Sequence, residues 1–130
     1  MSTSSLPKII KDTCLDFKWN TEKVWKLNIP VESMLISELS WQFDLPFWRY
    51  NRIKYAITPK QVINEQKKYK DQYDRIMSSD LKYPVDIMKN KKDKWEMLDG
   101  LHRVVKAKIL GHETIEVRKV PLSKKKEILR

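Results

Sequence analysis

Trp95-Glu96-Met97-Leu98-Asp99-Gly100-Leu101-His102-Arg103 reads as a strand that turns through a glycine straight into a helix. With about 3.6 residues per turn, Leu101, Val104, Val105 and Ile109 form one apolar arc facing a sheet, and His102, Arg103 and Lys106 fall together beside it. Gly111 ends the helix after Leu110, and Ile115 and Val117 then alternate with Glu116 and Arg118 in a strand predicted over 114–120. Such a strand–glycine–helix junction suits an anion. A helix start offers unpaired N–H groups and a partial positive charge, and a glycine there lets a phosphate approach the backbone. Gly100, Leu101, His102, Arg103 and Lys106 are therefore the candidate phosphate-binding residues. Two plainer readings stand beside this one: Asp-Gly is the commonest hairpin turn, and an aspartate before a helix is often only an N-cap.

Upstream, Tyr83 to Met88 reads as a strand joined to 95–99 by a hairpin whose tip is the lysine-rich run Lys89 to Lys94. Thr58-Pro59-Lys60-Gln61 carries a capping box with proline at the first helical position, so a helix starts there and continues in two pieces. Tyr69, Tyr73, Ile76 and Met77 share its buried face, and Asp71 with Arg75 makes an exposed pair. Trp25, Leu27 and Ile29 alternate with Lys26 and Asn28, which predicts a half-buried strand over 24–31 ending near Pro30. The aromatic stretch from Ser37 to Trp48 is either a short helix and turn or a compact loop. It caps one end of the core, or else walls a pocket with Glu38 facing in. Beyond Pro121, Ser123 can cap a short basic helix through Leu129.

The chain has 130 residues, enough for one core, read as a loosely ordered N-terminal arm over 1–20, able to pack through Phe17 and Trp19, and a single domain over 21–130. One cysteine, Cys14, excludes a disulfide framework and a Cys/His zinc set, and its polar surroundings suggest a spare thiol rather than a nucleophile. No signal-peptide core and no long apolar run interrupts the sequence, which points to a cytoplasmic protein with no membrane partner. The net charge of +10 eases encounter with polyanions, but it is spread along the chain and mostly lysine, without a recognition helix for sequence-specific DNA.

The order of elements, with Asp80-Leu81-Lys82-Tyr83-Pro84-Val85-Asp86-Ile87 and Leu98-Asp99-Gly100-Leu101-His102-Arg103-Val104-Val105-Lys106-Ala107 followed by Gly111, resembles the ParB/sulfiredoxin superfamily over roughly 24–121. The resemblance implies an α+β fold, a small mixed sheet with flanking helices, and nucleotide phosphates bound at the turn. Chemistry differs by branch: CTP hydrolysis and DNA clamping, ATP-driven repair of an over-oxidised cysteine, or phosphorylation of free serine. Leu101 stands where sulfiredoxins need their cysteine, so the thiol mechanism is not available here. The kinase-like branch implies a catalytic glutamate after the first strand. Glu38, with Glu32 as its close rival, takes that part, and Asp99 orients the turn or holds a magnesium ion.

The leading expectation is a nucleotide-binding protein, using ATP, ADP or CTP with magnesium, that carries out phosphotransferase or hydrolase chemistry on a small-molecule acceptor. The alternative is a nucleic-acid-binding or nuclease-like accessory protein of the same fold. A third reading is an interaction module using the aromatic segment Trp41 to Trp48.

Overall fold

The computed structural model describes residues 6–130. The fold is α+β, built from a four-stranded mixed sheet, a separate two-stranded hairpin and flanking helices. In chain order the elements are α1 (Lys8–Thr13), α2 (Thr21–Trp25), β1 (Val31–Leu35), β2 (Trp48–Tyr50), β3 (Ile53–Ile57), α3 (Pro59–Asn64), α4 (Lys70–Ser78), β4 (Val85–Lys89), β5 (Trp95–Asp99), α5 (Leu101–Ile109), β6 (Thr114–Lys119) and α6 (Lys125–Ile128). Three short 3₁₀ turns, Ile36–Glu38, Ser40–Asp44 and Leu122–Lys124, complete the described residues.

The sheet runs β1-β6-β4-β5. β4 and β5 form the expected hairpin, and α5 carries the chain back so that β6 lies parallel to β4. Buried Val104, Val105 and Ala107 of α5 join Val85, Ile87 and Val117 of the sheet and Ile76 of α4 in the main core. The register sets one row across the sheet: Asp99 opposes Asp86, Asp86 opposes Arg118, and Arg118 opposes Val31. This row marks the end of the sheet where α5 begins.

Several local expectations hold. Thr58 and Gln61 form the reciprocal capping box, with Pro59 at the helix start. Asn90 ties the 90–94 turn together by accepting from the N–H groups of Lys92 and Lys94, leaving the lysines exposed. The strand at 114–119 and the helix from Leu101 lie where the alternation and the apolar arc put them.

Others need correction. The strand expected over 24–31 does not form there: Val24 and Trp25 close a helix over 21–25, because the Asn20 side chain accepts from the Lys23 N–H and caps a turn, and the first strand starts only after Pro30. Leu27 and Ile29 still pack inward, onto the cluster of Val24, Met88, Leu98, Val120 and Ile128, so the alternation reports burial without a ladder. Lys70 pairs with Asp74 in place of the expected Asp71–Arg75 pair. Ser123 lies inside a 3₁₀ turn and caps nothing.

The arm is also held more closely than expected over residues 6–20, while residues 1–5 lie outside the described part. Ile10 and Cys14 are buried, the Leu15 N–H donates to Glu96 Oε1 at 2.9 Å, and the Trp19 indole donates to the Leu98 carbonyl at 2.9 Å. Burial, then the Glu96 carboxylate, pushes the Cys14 thiol up to about 12, so it stays protonated and unreactive at neutral pH.

The aromatic segment seals the outer edge of β5. Trp41 donates to the Trp95 carbonyl at 3.1 Å, Gln42 donates to the same oxygen at 3.2 Å, and the Met97 N–H donates to Gln42 Oε1 at 2.9 Å. These side chains satisfy an edge that would otherwise be open to another strand. With Phe43 and Trp48 buried as well, the segment caps the core.

Candidate functional site

The strand–glycine–helix reading is the one the backbone adopts. Asp99 is the last residue of β5, Gly100 is the N-cap of α5 with φ +107°, and no side chain caps the helix. Both alternatives fail here: there is no hairpin at Asp-Gly, and Asp99 is not the cap. The first-turn N–H groups of α5 therefore lack the side-chain acceptor that usually covers them. A Cβ on Gly100 would lie 2.7 Å from both Arg103 Nη2 and Val85 Cγ1, so only glycine fits between the guanidinium and the sheet.

The junction opens on a groove of about 400 Å³ lined by Trp25, Ser79, Asp80, Tyr83 and residues 99–103. Trp25 and Tyr83 are more than half exposed, at 56% and 54%, which is unusual for large aromatics beside a concavity. The Trp25 indole donates to Asp99 Oδ2 at 2.8 Å, and Arg103 Nη2 meets the same oxygen at 3.1 Å. Asp99 thus positions an aromatic ring and a guanidinium.

The other candidate residues divide. His102 turns away from the groove's mouth: its ring stacks on Trp48 at 4.9 Å and its Nε2 lies 3.0 Å from Gln72 Oε1. Lys106 donates to the Ser79 carbonyl at 2.7 Å and ties α5 to the end of α4. Of the candidate residues, Gly100, Leu101 and Arg103 therefore line the groove, with the His102 side chain directed to α4.

Glu38 does not join it. It follows the Leu35 end of β1, where Leu35 opposes Thr114 and the Ile36 N–H donates to the Glu113 carbonyl, whereas Asp99 belongs to the Val31 row. Four residues of strand, about 13 Å, separate the two ends. Glu38 is exposed there, so it neither converges with Asp99 nor faces a pocket shared with it. Glu32 lies nearer the Asp99 row but is paired with Lys119 at 2.9 Å. The donor set also does not suit a protein-held magnesium ion at Asp99, whose Oδ2 is taken by an indole N–H and a cation; among the described residues no three His, Cys, Asp or Glu side chains gather as metal ligands.

Burial, and then the nearby Arg75 cation, hold the His102 imidazole below its ordinary pKa of 6.5. As pH falls below 6.5 the unfolded chain takes this proton before the folded one, so the stability due to neutral His102 is complete above that value and lost below it. An NMR titration should place the His102 midpoint under 6.5, and His102→Gln should flatten the acid-side fall in stability measured by urea unfolding. A midpoint at or above 6.5 would contradict the buried neutral ring.

Two features escaped sequence reading. The β2–β3 hairpin turns through Asn51 and Arg52, both at positive φ, and the signal was the asparagine between two runs of alternating aromatic and aliphatic residues. Asp80 lines the groove as its second carboxylate, with Oδ1 accepting the Lys82 N–H at 3.0 Å. No helix among the described residues is long and apolar enough to cross a membrane. In comparisons with known proteins, no family model, no curated protein and no solved structure matches this chain.

Proposed function

We propose that this chain is a ParB/sulfiredoxin-like nucleotide-binding domain that seats a phosphate at the start of α5 and a base against Trp25 or Tyr83. The observation that carries this reading is the coincidence, in one groove, of an uncapped helix start, a glycine at φ +107°, a guanidinium folded over that glycine and two exposed aromatic rings. Backbone N–H groups and Arg103 recognise phosphate by charge-assisted hydrogen bonds, and flat aromatic faces recognise a base by stacking. Magnesium would arrive with the phosphates of the nucleotide. Transfer to a small acceptor, or hydrolysis, needs a base in the groove. We assign that role to Asp80, which lines the groove and is exposed and free of any ion pair among the described residues.

Thermal unfolding with ATP, ADP, CTP and GTP, each with and without magnesium, tests the site. A nucleotide at about 100 times its dissociation constant should add roughly 2.7 kcal/mol, several degrees for a domain of this size. Arg103→Ala should weaken binding by about 1.5–3 kcal/mol, and Asp80→Asn should spare binding while abolishing turnover. No shift with any nucleotide would remove the proposal.

A further inference from the structure

A second cavity, of about 360 Å³, lies between the β2–β3 hairpin and the start of α4. Its walls carry five cationic side chains, Arg49, Arg52, Lys68, Lys70 and Arg75, against a single carboxylate, Asp71. Lys70 is paired with Asp74, but the other four cations have no ion-pair partner among the described residues. All five cations are exposed to solvent, and like charges gathered around one concavity raise the local positive potential met by whatever enters. Arg52 is also held at φ +69° in the hairpin turn, a position that glycine usually takes.

We propose that this cavity is a second anion site, distinct from the α5 groove, which takes the phosphate chain of a small organic polyphosphate. Its size falls in the range of small-molecule sites. A nucleic-acid strand would need a basic track continuing beyond the cavity. Instead Glu65, Asp71 and Asp74 stand along the same part of the chain as the lysines and interrupt the charge. The tyrosines Tyr50 and Tyr69, edge to face at 4.9 Å, form an apolar wall beside the cations. Gln72, which lines the cavity, contacts the His102 ring of α5 at 3.0 Å, and the two cavities share no lining residue.

Calorimetric titration of the full chain with sodium tripolyphosphate tests the assignment, with Arg103→Ala included to read the cavity apart from the α5 turn. Tripolyphosphate should bind both wild type and Arg103→Ala. It should bind at least tenfold more weakly once Arg49→Gln and Arg75→Gln are combined in either background. These arginines are exposed, so unfolding temperatures should stay close to wild type. Lys124→Gln with Lys126→Gln removes the same charge elsewhere and should leave affinity within twofold. Equal weakening by both pairs would reduce the effect to net charge and overturn the site. So would loss of binding in Arg103→Ala alone, or a single-stranded oligonucleotide binding through Arg49 and Arg75 where tripolyphosphate does not. Failure of the nucleotide reading leaves a different mark: no nucleotide shift in wild type, with tripolyphosphate binding retained.

Discussion

Arg118→Met should lower stability by about 3–5 kcal/mol in urea unfolding, the largest single effect expected in this chain. Arg118 Nε lies 3.3 Å from Asp86 Oδ1, and both atoms are buried with no hydrogen-bond partner, so charge attraction is what compensates each of them. Its Nη2 donates to the carbonyls of Val24 at 3.1 Å and Leu27 at 2.7 Å. One guanidinium thus neutralises a buried carboxylate and fastens the chain around α2 onto the sheet. Burial pushes the Asp86 carboxyl up, Arg118 opposes this, Asp99 adds to the rise and Arg103 opposes it. Without Arg118 the folded-state pKa rises further above its unfolded value. The folded variant then binds more protons than the unfolded chain, and its stability falls as pH rises through that window. The deficit of Arg118→Met should therefore be smaller near pH 4 than at pH 7. Adding Asp86→Leu should recover part of the loss, since buried ion pairs are often replaceable by apolar groups, but the Leu27 carbonyl stays without its partner, whereas the Val24 carbonyl keeps the Leu27 N–H at 3.1 Å. A variant as stable as wild type at pH 7 would show that the pair carries no such weight.

Gly100→Ala should cost about 1–3 kcal/mol from the backbone alone, because φ +107° is a region that L side chains rarely adopt. Crowding adds to this. The new Cβ would press on Val85 Cγ1, which is fully buried and cannot retreat, and on Arg103 Nη2, which can move only by giving up its contact with Asp99. Nucleotide-induced stabilisation should vanish with the displaced guanidinium. Gly111→Ala is the matched control, since Gly111 also has positive φ but nothing lies within 4 Å of its Cβ position. The difference between the two midpoints in urea measures the crowding at the turn; equal midpoints would mean that Gly100 is needed only for its φ.

The capping box at Thr58 to Gln61, the hairpin tip at Lys89 to Lys94 and the apolar arc of α5 were legible because each depends on residues within a few positions of one another. Residues 24–31 misled for the opposite reason. Trp25, Leu27 and Ile29 do alternate, but the carbonyls of Val24 and Leu27 are claimed by Arg118, more than 90 positions away, and no neighbouring strand pairs with them. Glu38 was placed at the site by its order after the first strand. The antiparallel register of β1 and β6 puts that strand's C-terminal end away from α5's start.

By itself, then, the amino-acid order determined the strand–glycine–helix unit and its glycine, because local sterics and 3.6-residue periodicity act along the chain. Only the tertiary structure decided which side chains serve that turn. Long-range register brought Trp25, Asp80 and Tyr83 to it, sent His102 and Lys106 to α4, left Glu38 at the far end, and gathered arginines from a hairpin and a helix into one basic cavity. Contacts between residues far apart in the chain depend on how the sheet is ordered and registered, and periodicity within one segment carries no information about that order.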